Sequence, residues 1–365
     1  MRRNILLSSS ILLLIITLLA GGIAPGVSNV RADSLLQGVP GLDGKRVYFA
    51  SSSSEANRFD RSEAGLSRFA SLLQILGADL FTVDWQDGIP ADADLIIIAG
   101  PTRESQVEIA WLWSYLENGG RLLLLVDPLY RVHLMERGLF ELTWVDMGFR
   151  ARDDIVATEG PVQAFSPAPA QTRAGEPTST PAPSFEAPSL LTEFTTTHLA
   201  QHPITAGIES GLTFFGTRSI EVDGTPSQYV TVTSLVFSGS DFYGETAFQD
   251  YLDGYGAEYN IEEDTARGTL VLAAAIENSA TGSRIVLIGD REFATNGGGL
   301  QTSPPYSPSF LYPDNIRFLL NAVVWLVEAD GELVDIPFPT PGPTATPTST
   351  LSPTPTPTSE DETNP

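Results

Sequence analysis

Short apolar runs alternate with amphipathic segments along the first third of the chain, and this alternation predicts strands and helices in turn. The runs that predict strands are Arg46–Ala50, Asp79–Val83, Asp94–Gly100 and Arg121–Asp127. Apolar residues at helical spacing predict helices over Ser62–Leu76, Thr102–Asn118 and Leu129–Gly138. Strands separated by helices in this order are typical of β-α-β units and therefore predict a parallel sheet.

The second half of the chain adds strands of two kinds. Ser219–Val222 and Gln228–Phe237 have the pattern of antiparallel strands, whereas Thr269–Glu277 and Arg284–Asp290 return to the apolar pattern of a central sheet. Asp314–Glu328 predicts a closing helix with one apolar face. The pattern as a whole predicts an α/β fold with a more antiparallel β insertion.

Two stretches lack apolar periodicity. Residues 337–365 are dominated by Thr, Pro and Ser, and Ser166–Ser189 has a similar composition inside the folded region. Dense proline prevents helices and sheets and favours extended, solvated chain. We therefore predict a disordered surface insertion at 166–189 and a disordered tail, which is either a stalk or spacer or a segment without a specific role.

The N-terminus predicts export. Arg2 and Arg3 precede a mostly apolar run from Ile5 to Ala24, the pattern of a signal segment. Small residues at Val30-Arg31-Ala32 fit signal-peptidase cleavage, so residues 1–32 form a removable signal peptide in one interpretation. In the other they stay as a membrane anchor, because about 20 apolar residues span a bilayer. Either way, the remainder is expected to be extracytoplasmic, secreted or anchored to the cell membrane.

Charge and composition narrow the chemistry. The formal net charge is −25, with Lys45 as the only lysine. This balance argues against nucleic acid or an anionic membrane surface as the main partner, because both need a basic patch. The chain has no cysteine and three histidines. Cysteine nucleophiles, disulfides and thiolate metal sites are therefore excluded, and the histidines have no metal-ligand spacing.

An ordered series of motifs resembles the gliding-motility-associated ABC-transporter auxiliary family, the GldG-like proteins. The motifs are DLIIIAGPTRES (Asp94–Ser105), NGGRLLLLVDP (Asn118–Pro128), MGFRARDDIVA (Met147–Ala157), HPITAGI (His202–Ile208), the segment Phe214–Ile220 with TRSI, GSDFYGET (Gly239–Thr246), EDTARGTLVLAAAIE (Glu263–Glu277) and RIVLIGDREFATN (Arg284–Asn296). The resemblance extends from Lys45 to Glu328, and the order of the motifs carries it.

The resemblance implies a fold and a setting. The fold is flavodoxin-like α/β of the class I glutamine-amidotransferase-like kind, a parallel sheet with helices on both faces, over residues 45–328. The setting is an exported, membrane-associated accessory protein, with permease or ATPase subunits of an ABC transporter, or a cell-envelope ligand, as partner. Members of the family commonly have a C-terminal transmembrane helix, whereas this chain has the Thr/Pro tail.

The candidate site lies where the predicted parallel strands end, because doubly wound sheets bind ligands at that edge. The candidate ligand-binding residues are Ser51, Ser52, Ser53, Gly100, Pro101, Thr102, Asp127, Asp290, Glu292 and Asn296. Asp290 ends a predicted buried strand, so we expect it to accept hydrogen bonds from backbone N–H groups of the following turn rather than to act in catalysis. No cofactor and no metal ion are expected.

Three functions are compatible with this pattern. The leading hypothesis is a non-catalytic, exported module that binds a ligand or partner and assists an ABC transport system. The alternative is a hydrolase that uses a Ser or Asp at the same edge, although no G-x-S-x-G motif is present. The third is a structural cell-surface protein whose role is carried by the Thr/Pro tail.

Overall fold

A computed structural model describes most of the region between the N-terminal apolar run and the tail. The described residues are 30–31, 35–51, 55–100, 106–128, 136–159, 163–165, 185–187, 190–223, 227–247, 259–305 and 307–329. The predicted signal or anchor run, most of the predicted insertion and the predicted tail lie outside these residues.

The secondary structure alternates as expected in the first third and becomes β-rich afterwards. The strands are β1 (Val30–Arg31), β2 (Arg46–Phe49), β3 (Asp79–Thr82), β4 (Leu95–Ala99), β5 (Arg121–Leu125), β6 (Phe149–Ala151), β7 (Ile155–Glu159), β8 (Gln163–Phe165), β9 (Phe185–Ala187), β10 (Leu190–Leu191), β11 (Glu193–Thr196), β12 (His198–Leu199), β13 (Leu212–Phe215), β14 (Ile220–Val222), β15 (Val230–Phe237), β16 (Tyr243–Glu245), β17 (Val271–Asn278), β18 (Ser283–Ile288) and β19 (Ser309–Phe310). The helices are α1 (Ser67–Ile75), α2 (Gln106–Glu117), α3 (Glu136–Met147) and α4 (Pro313–Val327).

Five parallel strands form the centre of the main sheet, in the order β3-β2-β4-β5-β18. Numbered along the chain within this group, the order is 2-1-3-4-5, which is the flavodoxin-like order. The predicted flavodoxin-like α/β class is therefore confirmed by the strand order. Strands β4 and β18 are almost completely buried, as their continuous apolar sequences require.

An antiparallel extension continues the sheet beyond β18. Strand β17 pairs antiparallel with β18, β15 with β17, and β12 with β15, while β14 and β6 are attached beside β17. Residues 185–187 of the predicted insertion form β9, which pairs with β8.

Helices cover both faces of the sheet. Helices α1 and α4 contribute to one core, with buried Phe69, Leu73 and Phe318. Helices α2 and α3 contribute to the other, with buried Leu112 and Leu139. The two cores enclose alternate residues of the central strands, because successive side chains of a strand point to opposite faces. Among the described helices, none has the length and apolarity needed to cross a bilayer.

Two predicted helix boundaries differ from the structure. Helix α1 begins at Ser67 rather than Ser62, because Asp60 accepts the backbone N–H of Ser62 (2.8 Å) and holds a turn there. The helix predicted to end at Gly138 continues to Met147 as α3 (Glu136–Met147). Residues 129–135, which make up most of that prediction, lie outside the described part. The buried residues of α3 include Leu139, Thr143 and Met147, a helical spacing that the sequence analysis missed.

The two ends of the domain lie at opposite edges of the main sheet. Strand β1 pairs antiparallel with β19, immediately before α4, at the edge where the parallel strands end. The following segment is buried at Leu36, Val39 and Leu42, and it reaches the other edge, where Leu42 N donates to Leu76 O at the end of α1 (2.6 Å). Helix α4 ends at that second edge too.

Contacts at the end of α4 fix this second edge. Glu328, just after the helix, forms ion pairs with Arg284 (2.8 Å) and Arg121 (3.1 Å). These arginines lie at the starts of β18 and β5. We call the edge where the parallel strands end the carboxyl edge, and the edge where they begin the amino edge.

Candidate functional site

Asp290 lies just beyond β18, and its side chain is fully buried. Its Oδ2 accepts the backbone N–H of Phe215 in β13 (2.6 Å), and its Oδ1 accepts that of Phe293 in the following 3-10 turn (3.2 Å). The second bond is of the kind expected from the sequence. The first joins the β-rich insertion to the central sheet.

Burial raises the pKa of Asp290 from its ordinary value of 3.8 to about 7. The negative charges of Asp127 and Glu292 raise it further, while the two backbone N–H groups act in the opposite direction. Desolvation is the largest of these effects because a buried carboxylate loses its hydration shell. The buried carboxyl group therefore keeps its proton to a higher pH than an exposed aspartate does.

Asp127 and Gly100 lie beside Asp290 at the ends of β5 and β4, and Arg291 connects them. Asp127 is 1% exposed, and its Oδ1 accepts the backbone N–H of Arg291 (3.0 Å). The Arg291 Nε lies 3.2 Å from Asp127 Oδ2. Gly100 has a φ of +70°, and a Cβ there would collide with the Arg291 side chain. The arginine therefore covers the end of β4 and neutralises the buried Asp127.

Arg218 also lies beside this cluster, and the sequence did not identify it as a candidate. Its side chain is 1% exposed. It donates to the carbonyls of Arg152 (2.6 Å) and Asp127 (3.1 Å) and to Asp153 Oδ1 (2.9 Å). This guanidinium holds the chain before β14 against the end of β5. The only sequence signal was an arginine inside a block of aromatic and small residues.

Asn296 joins two loops at the carboxyl edge. It is 3% exposed. Its Oδ1 accepts the backbone N–H of Arg68 (3.0 Å), and its Nδ2 donates to the carbonyls of Asp60 (3.0 Å) and Ser62 (2.8 Å). These bonds join the loop after β18 to the loop after β2. The amide of Asn296 is thus used within the protein, while the residue also lines the cavity between these two loops.

The remaining described candidates are Ser51, which lies away from this cluster, and Glu292, which lies beside it. Ser51 lines a separate open cleft of about 510 Å³ with Asp84 and Glu108. Glu292 is partly exposed and opens the 3-10 turn beside Asp290. Ser52, Ser53, Pro101 and Thr102 lie outside the described residues. Of the ten candidates, the structure brings together Gly100, Asp127, Asp290 and Glu292.

Two further cavities flank this cluster. One of about 530 Å³ lies at the carboxyl edge between the loops after β2 and β18, and its lining includes Ala64, Gly297 and Thr302. The larger one, of about 570 Å³, lies beside α3, β6 and β14 and includes Trp144 and Arg218. The second cavity mixes arginines with carboxylates that pair with them, such as Arg150 with Glu221 (2.7 Å).

His202 and Asp264 both accept hydrogen bonds from nearby backbone N–H groups. His202 accepts the backbone N–H of Ile204 on Nδ1 (3.2 Å), and burial lowers its pKa. Asp264 accepts the backbone N–H groups of Thr246 (3.0 Å) and Asn260 (2.7 Å). In the part of the chain that the structure describes, no three His, Cys, Asp or Glu side chains are grouped as a metal site.

Comparison with solved structures gives low similarity. The mmIFT52 N-terminal domain has 14% identity and a TM-score of 0.48, with 79% of this chain and 100% of that chain covered. A ThuA-like protein from Bacteroides uniformis has 12% identity and a TM-score of 0.40, with 77% and 90% covered. Cytoplasmic protein STM3548 from Salmonella typhimurium has 11% and 0.37, with 76% and 97% covered. These values support no statement about function. The search of curated proteins found no match.

A family profile gives a stronger result. Residues 45–322 match the ABC-transporter auxiliary family, whose description is "ABC-type uncharacterized transport system". The match begins just before β2 and ends within α4, so it includes the whole central sheet and the cluster around Asp290. The chain therefore belongs to the family of auxiliary proteins of ABC-type transport systems.

Proposed function

We propose that this protein is an exported, non-catalytic auxiliary of an ABC transport system, which binds a ligand or partner at the carboxyl edge. The family match supports the link to a transport system. The GldG-like motifs support an envelope setting, and the N-terminal apolar run supports export.

The inward orientation of the polar groups is the observation that supports a non-catalytic role. A hydrolase needs a nucleophile, a base and an oxyanion site around one accessible point. Here Asp290 is fully buried with both oxygens on backbone N–H groups, and Asp127 is buried against Arg291. Ser51 lies in a different cleft, with carboxylates rather than a histidine among its lining residues.

The cavity between the loops after β2 and β18 is the best location for partner contact. It is open, lies at the carboxyl edge and has charged rim residues of both signs, Arg61 and Glu63. Its walls are rigid, since Asn296 and Gly297 bond the opposite loop: Asn296 N donates to Gly65 O (2.9 Å) and Gly297 N to Glu63 O (2.7 Å). A preformed surface of this kind limits the entropy that binding would cost.

The test is co-isolation from membranes. Tagged full-length protein, extracted from its native membranes in mild detergent, should carry ABC permease subunits that mass spectrometry identifies. Ala64→Arg places a bulky charge on the carboxyl edge and should reduce their recovery several-fold. Ala280→Arg is the matched control, because Ala280 is exposed in the turn before β18 at the amino edge, and it should leave recovery unchanged.

Two results would contradict this proposal. Equal recovery of permease subunits with both variants would show that the carboxyl edge is not the contact surface. Turnover of an ester or amide panel by the purified protein, lost in Ser51→Ala or in folded Asp290→Asn, would establish the hydrolase alternative instead.

A further inference from the structure

We infer that the N-terminal apolar segment remains attached as a membrane anchor and that the carboxyl edge of the sheet faces the bilayer. This inference rests on the proposed export. It adds the orientation of the domain: the candidate cavity at the carboxyl edge faces a phospholipid membrane.

The first observation is the pairing of β1. Val30 and Arg31 pair with Phe310 and Ser309 of β19. Cleavage after Ala32, the site suggested by the small residues, would remove both residues of β1. Backbone groups at a strand edge gain hydrogen bonds from such a partner. A segment that forms part of the folded domain is thus a poor candidate for removal.

The second observation is the burial of the chain that follows. Leu35 and Leu36 are 5% and 1% exposed, and Val39 and Leu42 are also buried in the core that α1 and α4 share. The path of the chain is therefore fixed from the carboxyl edge onward. Whatever precedes Val30 must leave the domain at that edge.

The third observation is the short distance to the apolar run. That run ends at Ala24, and five residues (25–29) separate it from Val30. An extended chain advances about 3.3–3.6 Å per residue, so this link reaches about 20 Å at most. With the carboxyl edge turned away from the bilayer, the link would have to run fully extended along the whole sheet, which is about 20 Å long at the six-residue β18. With the carboxyl edge turned toward the bilayer, the same link needs no such extension.

The surface at that edge is suited to the bilayer interface. Phe59, in the loop after β2, is 66% exposed, and the Arg58 guanidinium lies 3.9 Å from its ring centroid. Arg58 also donates to Thr82 at the end of β3 (3.1 Å), which places the loop at the carboxyl edge. An exposed aromatic side chain beside an arginine is a common combination at membrane interfaces. The cavity that includes Ala64 lies along the same loop.

The test uses the absence of cysteine from the chain. Ala64→Cys and Ala280→Cys, each labelled with a fluorophore, are incorporated as full-length protein into nanodiscs whose lipids carry a nitroxide on the headgroup. The two positions are separated along the strand axis by about 20 Å, the length of the six-residue β18. We expect quenching at Ala64→Cys to be at least twofold stronger than at Ala280→Cys, because nitroxide quenching acts at short range.

Each outcome decides the inference. Equal quenching, or stronger quenching at Ala280→Cys, overturns the orientation. N-terminal sequencing of the protein from membranes of the expressing cells is the second measurement, and a mature chain that begins at Asp33 overturns retention of the anchor. The nanodiscs contain no transporter, so failure here is distinguishable from failure of the co-isolation experiment.

Discussion

Replacing Asp290 by asparagine should change how the stability of the protein depends on pH. The carboxyl group is buried, and its pKa is raised from 3.8 to about 7. Between these values the folded protein binds a proton that the unfolded chain has released. The free energy of unfolding therefore falls as pH rises through this window, and the contribution of Asp290 is fully present only below about pH 4.

The magnitude follows from the two pKa values. A difference of this size corresponds to about 4 kcal/mol between the protonation states. Linkage over the interval from pH 5 to pH 8 gives a loss of about 2–3 kcal/mol in the wild-type protein. Asparagine cannot ionise, so the Asp290→Asn variant should lack this loss.

Asparagine also changes the hydrogen bonding at the site. Its single oxygen can accept from Phe215 N or Phe293 N, but its amide N–H₂ faces the other donor. One lost bond of this kind costs about 1–3 kcal/mol. The free energy of unfolding of the variant should therefore be lower than that of wild type at pH 5. The difference should shrink or disappear at pH 8, because only the wild-type protein loses stability over this interval.

Urea unfolding at both pH values measures the effect. Asp290→Ala is the control: it removes the same charge, so it should show the same change with pH, but it orphans both N–H groups and should be the less stable variant throughout. A stability difference between wild type and Asp290→Asn that is the same at pH 5 and pH 8 would refute the raised pKa. A folded Asp290→Asn variant that has lost an activity would make Asp290 a functional residue.

Three other predictions concern different parts of the fold. Gly100→Ala should lower the free energy of unfolding by about 1–3 kcal/mol through backbone strain and a clash with Arg291. Gly38→Ala is the control and should cost less, because Gly38 has a φ of +73° but open space around it. Equal losses in the two variants would contradict the clash with Arg291. Arg218→Met should cost about 2–4 kcal/mol, because it leaves buried carbonyls without their donor; a urea midpoint near that of wild type would show that the guanidinium is dispensable. Replacing residues 166–184 with a short Gly-Ser linker should preserve cooperative thermal unfolding, since β8 and β9 are kept and long surface insertions cost little; a broad, non-cooperative transition would contradict this.

The parallel sheet and the central cluster could be predicted from the sequence, and for one reason. Apolar runs separated by helices predict parallel strands, and the residues after such strands meet at one edge. Gly100, Asp127 and Asp290 were found together on this basis. Their assembly depends only on local strand ends and on the topology.

Other parts of the site depend on contacts between distant segments, which periodicity does not report. Arg218 reaches the Asp127 carbonyl across 91 positions of sequence. Asn296 bonds the loop around Asp60, 236 positions away. Ser51 diverges from the cluster because the chain after β2 continues past β4, where Ala56 N donates to Ala99 O (2.9 Å). None of these contacts has a signal in the spacing of nearby residues.

The guanidinium of Arg218 also has a consequence for sequence variation among relatives. Its donors lie in one plane and satisfy acceptors in several directions, whereas a lysine ammonium offers a single compact centre, so Arg218→Lys is not a conservative change here. The backbone leaves little space as well, since a Cβ on Gly289 would collide with the Arg218 carbonyl. Because that carbonyl belongs to the backbone, glycine is needed at 289 whatever side chain stands at 218. Relatives that retain this junction should therefore keep the glycine even where they replace the arginine.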